Sequence, residues 1–116
     1  MKGYEKIAEI INQAHKQTTH PTVVLIAASA QALRADGCAV TIGSGESSYE
    51  AVSSALAKVG RMKNWVVVVS RMDVDGNRIT PQVMDQRMMR TFLKTGMNVV
   101  FYVQMDGDWE YYTPTT

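Results

Sequence analysis

The passage Val40-Thr41-Ile42-Gly43-Ser44-Gly45-Glu46-Ser47-Ser48 is the stretch of this chain most suggestive of chemistry. Glycines let a backbone turn its N–H groups inward, and a following helix would present its positive end. A phosphate-bearing ligand could then be held by Gly43, Ser44, Gly45, Ser47 and Ser48. The passage is not a P-loop, because no Lys-Ser/Thr pair follows at the required spacing. Nor is it the Rossmann fingerprint, whose third glycine is missing. Glu46 and Glu50 place carboxylates where an anion would sit, and Ser47-Ser48-Tyr49-Glu50 fits a capping box that uses the N–H groups itself. A structural turn and helix cap is the first expectation, and an anion site is the alternative.

Other groupings are weaker. Asp73-x-Asp75-x-Asn77 imitates the first three ligands of a calcium loop. Arg78 stands where the glycine of an EF-hand belongs, however, and Met84 replaces the bidentate glutamate, so a turn is expected and no metal site. Cys38 could pair with His15 or His20 as nucleophile and base. Its apolar neighbours Ala39, Val40 and Ile42 instead suggest a buried, inert thiol, and the histidines suit solvated positions. The serines Ser47, Ser48, Ser53 and Ser54 lack a nucleophile elbow. Asp106, Asp108 and Glu110 read as solvated acids on a hairpin. No catalytic constellation emerges, and no cofactor is called for.

Charge distribution carries more information than the net value of +1. Residues 61–96 hold seven basic and three acidic side chains, whereas residues 97–116 hold three acids and no base. Arg87, Arg90 and Lys94 fall at i, i+3 and i+7, forming one helical stripe expected to lie opposite Met84, Met88 and Phe92. Such a stripe fits an acidic protein partner or phosphates; its bland counterpart is a solvated face whose cations suit a helix C-terminus. Trp109 and Tyr111 share one face of a last strand that is expected to form an edge, where exposed aromatics favour protein contact. Eight methionines, five of them between positions 84 and 105, supply side chains that adapt to irregular cores and interfaces.

These groups must be positioned by a handful of elements. Tyr4, Ile7, Ile10, Ile11 and Ala14 recur at helical spacing and predict a helix over 3–17. Thr22 to Asp36 is ambiguous. A stripe of Val23, Ile26, Ala27, Ala30 and Leu33 favours a helix, although Thr22-Val23-Val24-Leu25-Ile26 is β-branched enough for a buried strand. The reading adopted is helix. Cys38 to Ile42 is expected as a short strand, Gly43 to Glu46 as a loop, and Ser47 to Arg61 as a helix. Asn64 to Ser70, with four successive valines, should be the central strand. Asp73 to Asn77 is turn chemistry leading into a short Arg78-Ile79 strand. Thr80 is expected to cap a helix with Pro81 at its first position and Gly96 past its end. Asn98 to Gln104 and Trp109 to Tyr112 should form a C-terminal β-hairpin.

With 116 residues the chain is one domain in size, and its 46% hydrophobic share excludes intrinsic disorder. One cysteine excludes an internal disulfide and every multi-cysteine metal site. No signal peptide or membrane span is visible, so the cytoplasm is the expected location. The expected fold is a single compact α/β or α+β domain, with one sheet of about four strands and helices packed on it. The functional expectation is a small non-enzymatic protein-interaction module, a regulator or inhibitor, working through Arg87, Arg90, Lys94, Trp109 and Tyr111. The alternatives are a binder of phosphate- or nucleotide-containing ligands at the Gly43–Ser48 loop and a weak nucleic-acid binder.

Overall fold

A valine run with every side chain buried needs cover on both faces of its strand, and that requirement organises the fold. In the computed structural model, which describes residues 5–28, 40–60, 63–105 and 107–113, the run lies in the strand β3 (Trp65–Met72). Val66 to Val69 are at most 2% exposed, each contributing about 1.5–3 kcal/mol of hydrophobic stabilisation. The preceding elements are the helix α1 (Glu5–Lys16), the strands β1 (Thr22–Ala27) and β2 (Val40–Gly45), and the helix α2 (Ser48–Val59). The strand β4 (Arg78–Ile79), the helix α3 (Gln86–Leu93) and the strands β5 (Met97–Val103) and β6 (Trp109–Tyr112) follow β3.

The result is an α+β domain with a mixed sheet in the order β2-β1-β3-β5-β6, while β4 adds to β3 off this path. β3 runs antiparallel to β1 and parallel to β5, so the chain returns across one face through α3. Alternation along the strands divides the core in two. Val24, Ile26, Trp65, Val67, Val69, Val100 and Tyr102 pack with Ala51, Val52 and Ala55 of α2 and with Met89 and Phe92 of α3. Leu25, Ala27, Val66, Val68, Phe101 and Val103 point the other way, towards Ile7 and Ile11 of α1.

Four expectations need correction. Thr22 to Ala27 is a strand and not the start of a helix; all six residues are buried between β2 and β3, whereas an amphipathic helix would have buried only a stripe. The remainder of that segment lies outside the described residues. The second strand extends through Gly43 and Gly45, which were expected in a loop. A Cβ on Gly43 would come within 2.4 Å of the Ala51 carbonyl oxygen, so the glycine is what lets α2 approach β2.

The third helix starts at Gln86, capped by Asp85 and not by Thr80: Asp85 Oδ1 accepts the Met88 N–H at 2.8 Å. Before it, residues 80–85 are pinned without helical structure. The Tyr102 hydroxyl accepts the Met84 N–H at 2.8 Å, and Ser48 Oγ donates to the Gln82 carbonyl at 2.6 Å. The later start also changes which side chains enter the core. Met89 and Phe92 are buried, whereas Met88 is 36% exposed. Finally, the sheet has six strands where about four were expected.

Candidate functional site

The α3 stripe is exposed as its spacing implied. Arg87, Arg90 and Lys94 lie on the surface, and none makes an ion pair among the described residues. The opposite flank of α3 faces α2: the Phe92 ring lies 5.5 Å from that of Tyr49, and Met88 lines a groove with Tyr49 and Val83. At about 100° per residue the three cations are therefore turned away from α2, which packs on β1 and β2. The stripe lies on the face of α3 opposite the core-buried Met89 and Phe92, pointing away from the sheet.

β6 ends the sheet beyond β5, and among the described residues no strand pairs with its other edge. Its residues alternate across the sheet. Tyr111 is paired with Phe101 and Trp109 with Val103, which places both aromatics on the α1 face, opposite to α3. The Trp109 ring is half-buried, edge-on to Phe101 at 6.5 Å, whereas Tyr111 is 64% exposed with its ring 6.1 Å from Phe101. Glu110 and Tyr112 occupy the α3 face. The Tyr112 hydroxyl donates to Glu110 Oε1 at 2.9 Å, and this bond to a carboxylate raises the Tyr112 pKa. The aromatic pair thus lies on the α1 face at the β6 edge, whereas the basic stripe lies on the outer surface of α3, on the other side of the sheet.

The Gly43–Ser48 passage is occupied by its own helix. Ser47 Oγ accepts the Glu50 N–H at 3.2 Å, and Glu50 Oε2 accepts the Glu46 N–H at 3.0 Å. Ser44 Oγ accepts from Thr18 Oγ1 at 3.2 Å, and Ser48 is buried with its hydroxyl on Gln82. Cys38, the third group considered for chemistry, lies outside the described residues.

A different cleft, of about 780 Å³, opens where the α1–β1 turn, the start of α2 and the β3–β4 hairpin meet. His15, His20, Glu46, Arg71 and Asp73 line it, with Pro21, Met72, Val74 and Ile79 supplying apolar wall. His20 Nδ1 lies 3.4 Å from Glu46 Oε1, and Arg71 Nη1 donates to the Glu46 carbonyl at 3.3 Å. The Asp73 carboxylate accepts the N–H groups of Asp75 and Asn77, closing the hairpin turn.

His15 corrects the expectation of a solvated position. It is half-buried, shares a 3.0 Å hydrogen bond with Ser70 Oγ, and has its pKa pushed down to about 4. Burial is the main cause, and the nearby Arg78 charge adds to it. Arg78 itself donates to Asn12 Oδ1 at 2.6 Å, and burial lowers its pKa as well. Ser70 is completely buried, so this Ser–His pair ties α1 to β3 and does not offer a hydroxyl to a substrate. Fifty-five residues separate the partners, and no local spacing announces the pair.

Among the described residues no cluster of three His, Cys, Asp or Glu side chains could hold a metal ion, and no helix is long and apolar enough to cross a membrane. No family model matches the chain, and no curated protein or solved structure is significantly similar to it.

Proposed function

We propose that this chain is a protein-interaction module that takes an extended, acidic segment of a partner as an added strand on β6. The observation carrying this reading is the edge of β6 on which no strand pairs among the described residues, with the exposed Tyr111 on its α1 face and with Arg87, Arg90 and Lys94, free of ion pairs among the described residues, on the outer surface of α3. A strand added there gains main-chain hydrogen bonds from the edge, its side chains on one face meet Tyr111, and the cations of α3 attract its acids at longer range. Affinity selection from a library of extended peptides tests it. The expected winners alternate acidic and apolar residues, protect the amides of Glu110 to Tyr112 from exchange, and bind less tightly as salt rises. Selection that ignores R87E/R90E/K94E, or that protects a different region, would overturn the assignment. Salt-sensitive binding that nuclease abolishes would identify nucleic acid as the ligand of the stripe instead.

A second reading rests on the cleft of about 780 Å³, where groups from three separate segments converge. It suits a small polar ligand whose anionic group meets Arg71 and whose apolar part lies on Pro21 and Met72; Glu46 favours a ligand that also carries a donor. Inorganic phosphate and simple amino acids are the probes. A melting-temperature increase that Arg71→Ala removes supports the reading, and no shift with any of them counts against it.

A further inference from the structure

We infer that the cleft beside Arg71 binds a free α-amino acid with a large apolar side chain, held through both its carboxylate and its ammonium group. The inference rests on the reading of this cleft as a small-ligand site and names the ligand class. Two opposite charges in its walls are left unmatched by the fold. Arg71 is half-buried, gives one N–H to the Glu46 carbonyl at 3.3 Å and makes no ion pair among the described residues. Asp73 is half-buried as well. Its Oδ1 accepts the Asp75 and Asn77 N–H groups at 3.0 and 2.9 Å, whereas its Oδ2 has no hydrogen bond or ion pair among the described residues. The two do not pair with each other, although both line the cleft and stand two positions apart in the chain, at most about 7 Å between Cα atoms.

Charge and shape select the ligand. A phosphate would bring its negative charge to a single arginine, with the carboxylates of Glu46 and Asp73 in the same walls. His15, uncharged at neutral pH, adds no second cation, and His20 is already set against Glu46 at 3.4 Å. A zwitterion meets both signs. Its carboxylate can take two of the remaining guanidinium N–H groups side by side, and its ammonium has three donors for Asp73 Oδ2 and the exposed Glu46 carboxylate. An α-amino acid attaches both charged groups to one carbon, which suits partners two residues apart, and its side chain leaves from that same carbon. Pro21, Met72 and Ile79, each half-buried, and the exposed Val74 form an apolar wall for it. A volume of about 780 Å³ leaves room for a side chain as large as that of leucine or phenylalanine. A peptide carries its two terminal charges on different residues, so one chain end would satisfy only half of the site.

Isothermal titration calorimetry of the full chain with L-leucine, L-phenylalanine, glycine, N-acetyl-leucine, leucinamide and inorganic phosphate tests the inference. Leucine and phenylalanine are expected to bind with a Kd on the order of 100 µM, and glycine, which lacks the apolar side chain, at least about tenfold more weakly. N-acetyl-leucine has lost the ammonium and leucinamide the carboxylate, and each should also bind at least about tenfold more weakly than leucine. Asp73→Asn keeps an oxygen for the turn amides; it should weaken leucine while leaving N-acetyl-leucine unchanged. Arg71→Ala should weaken leucine while leaving leucinamide unchanged, with native circular dichroism in both variants. The inference is overturned if neither leucine nor phenylalanine binds at concentrations up to about 10 mM, or if N-acetyl-leucine or leucinamide matches leucine. Phosphate that binds through Arg71 where no amino acid does would overturn it and leave the small-ligand reading standing; if no probe binds, both fall.

Discussion

Gly43 in β2 sits so close to Ala55 of α2 that a Cβ built on the glycine would lie 2.5 Å from the Ala55 backbone nitrogen. Neither backbone can yield without separating α2 from the sheet. Gly43→Ala is therefore expected to destabilise the fold by about 1–3 kcal/mol, as overpacking in a filled core does. Urea unfolding followed by circular dichroism measures the loss, and an unchanged midpoint would mean that α2 can ride outwards freely.

Capping separates the two candidate starts of α3. Asp85 holds the Met88 N–H, whereas Thr80 is an exposed residue five positions upstream of that cap. Asp85→Ala should lose about 1 kcal/mol, comparable to Ser47→Ala at the start of α2, and Thr80→Ala should lose less than half of that. Equal losses at Thr80 and Asp85 would restore the longer helix expected from Pro81.

Tyr102 is fully buried, its pKa raised to about 12 chiefly by burial, and its hydroxyl accepts the Met84 N–H. Tyr102→Phe keeps the ring but leaves that amide without its acceptor. A loss of about 1–3 kcal/mol is expected, with faster hydrogen exchange at Met84 as the local signature. Full stability in the phenylalanine variant would show that another acceptor takes over.

His15 should make stability depend on mildly acidic pH. Its folded pKa of about 4 lies below the ordinary 6.5, so the unfolded chain takes up the proton first. The His15 contribution is thus constant above pH 6.5, declines as pH falls towards 4, and levels off below that value. The ring is only partly buried, and solvent screening reduces the effect to roughly 1–2 kcal/mol. His15→Gln can keep the Ser70 contact without titrating, and the difference between the two stability profiles isolates the histidine from the carboxylates. Parallel profiles between pH 7 and 4 would contradict this assignment.

The sequence by itself determined those features that rest on local chemistry. The four valines after Trp65 could only be a strand covered on both faces, and they form the middle of the sheet. Ser47 and Glu50 marked the start of α2 because a cap is made within one turn, and Asp73 to Asn77 marked a turn because its hydrogen bonds close within five residues. The three cations at helical spacing were legible for the same reason. Tertiary structure decided whatever depended on a distant partner. Thr22 to Ala27 satisfies a helical stripe and a strand about equally, and only strands on both sides of it, which complete its hydrogen bonds and bury all six residues, select the strand. Residues 80–85 carry helix-start signals, but Ser48 and Tyr102 hold their backbone in another course, so Asp85 becomes the cap. The His15 pKa fell only because folding buried the ring and brought the Arg78 charge near it. Tyr111 came to the face opposite α3 because strand pairing fixes the side on which each residue of β6 lies, and that pairing is made with a chain segment the local sequence does not contain.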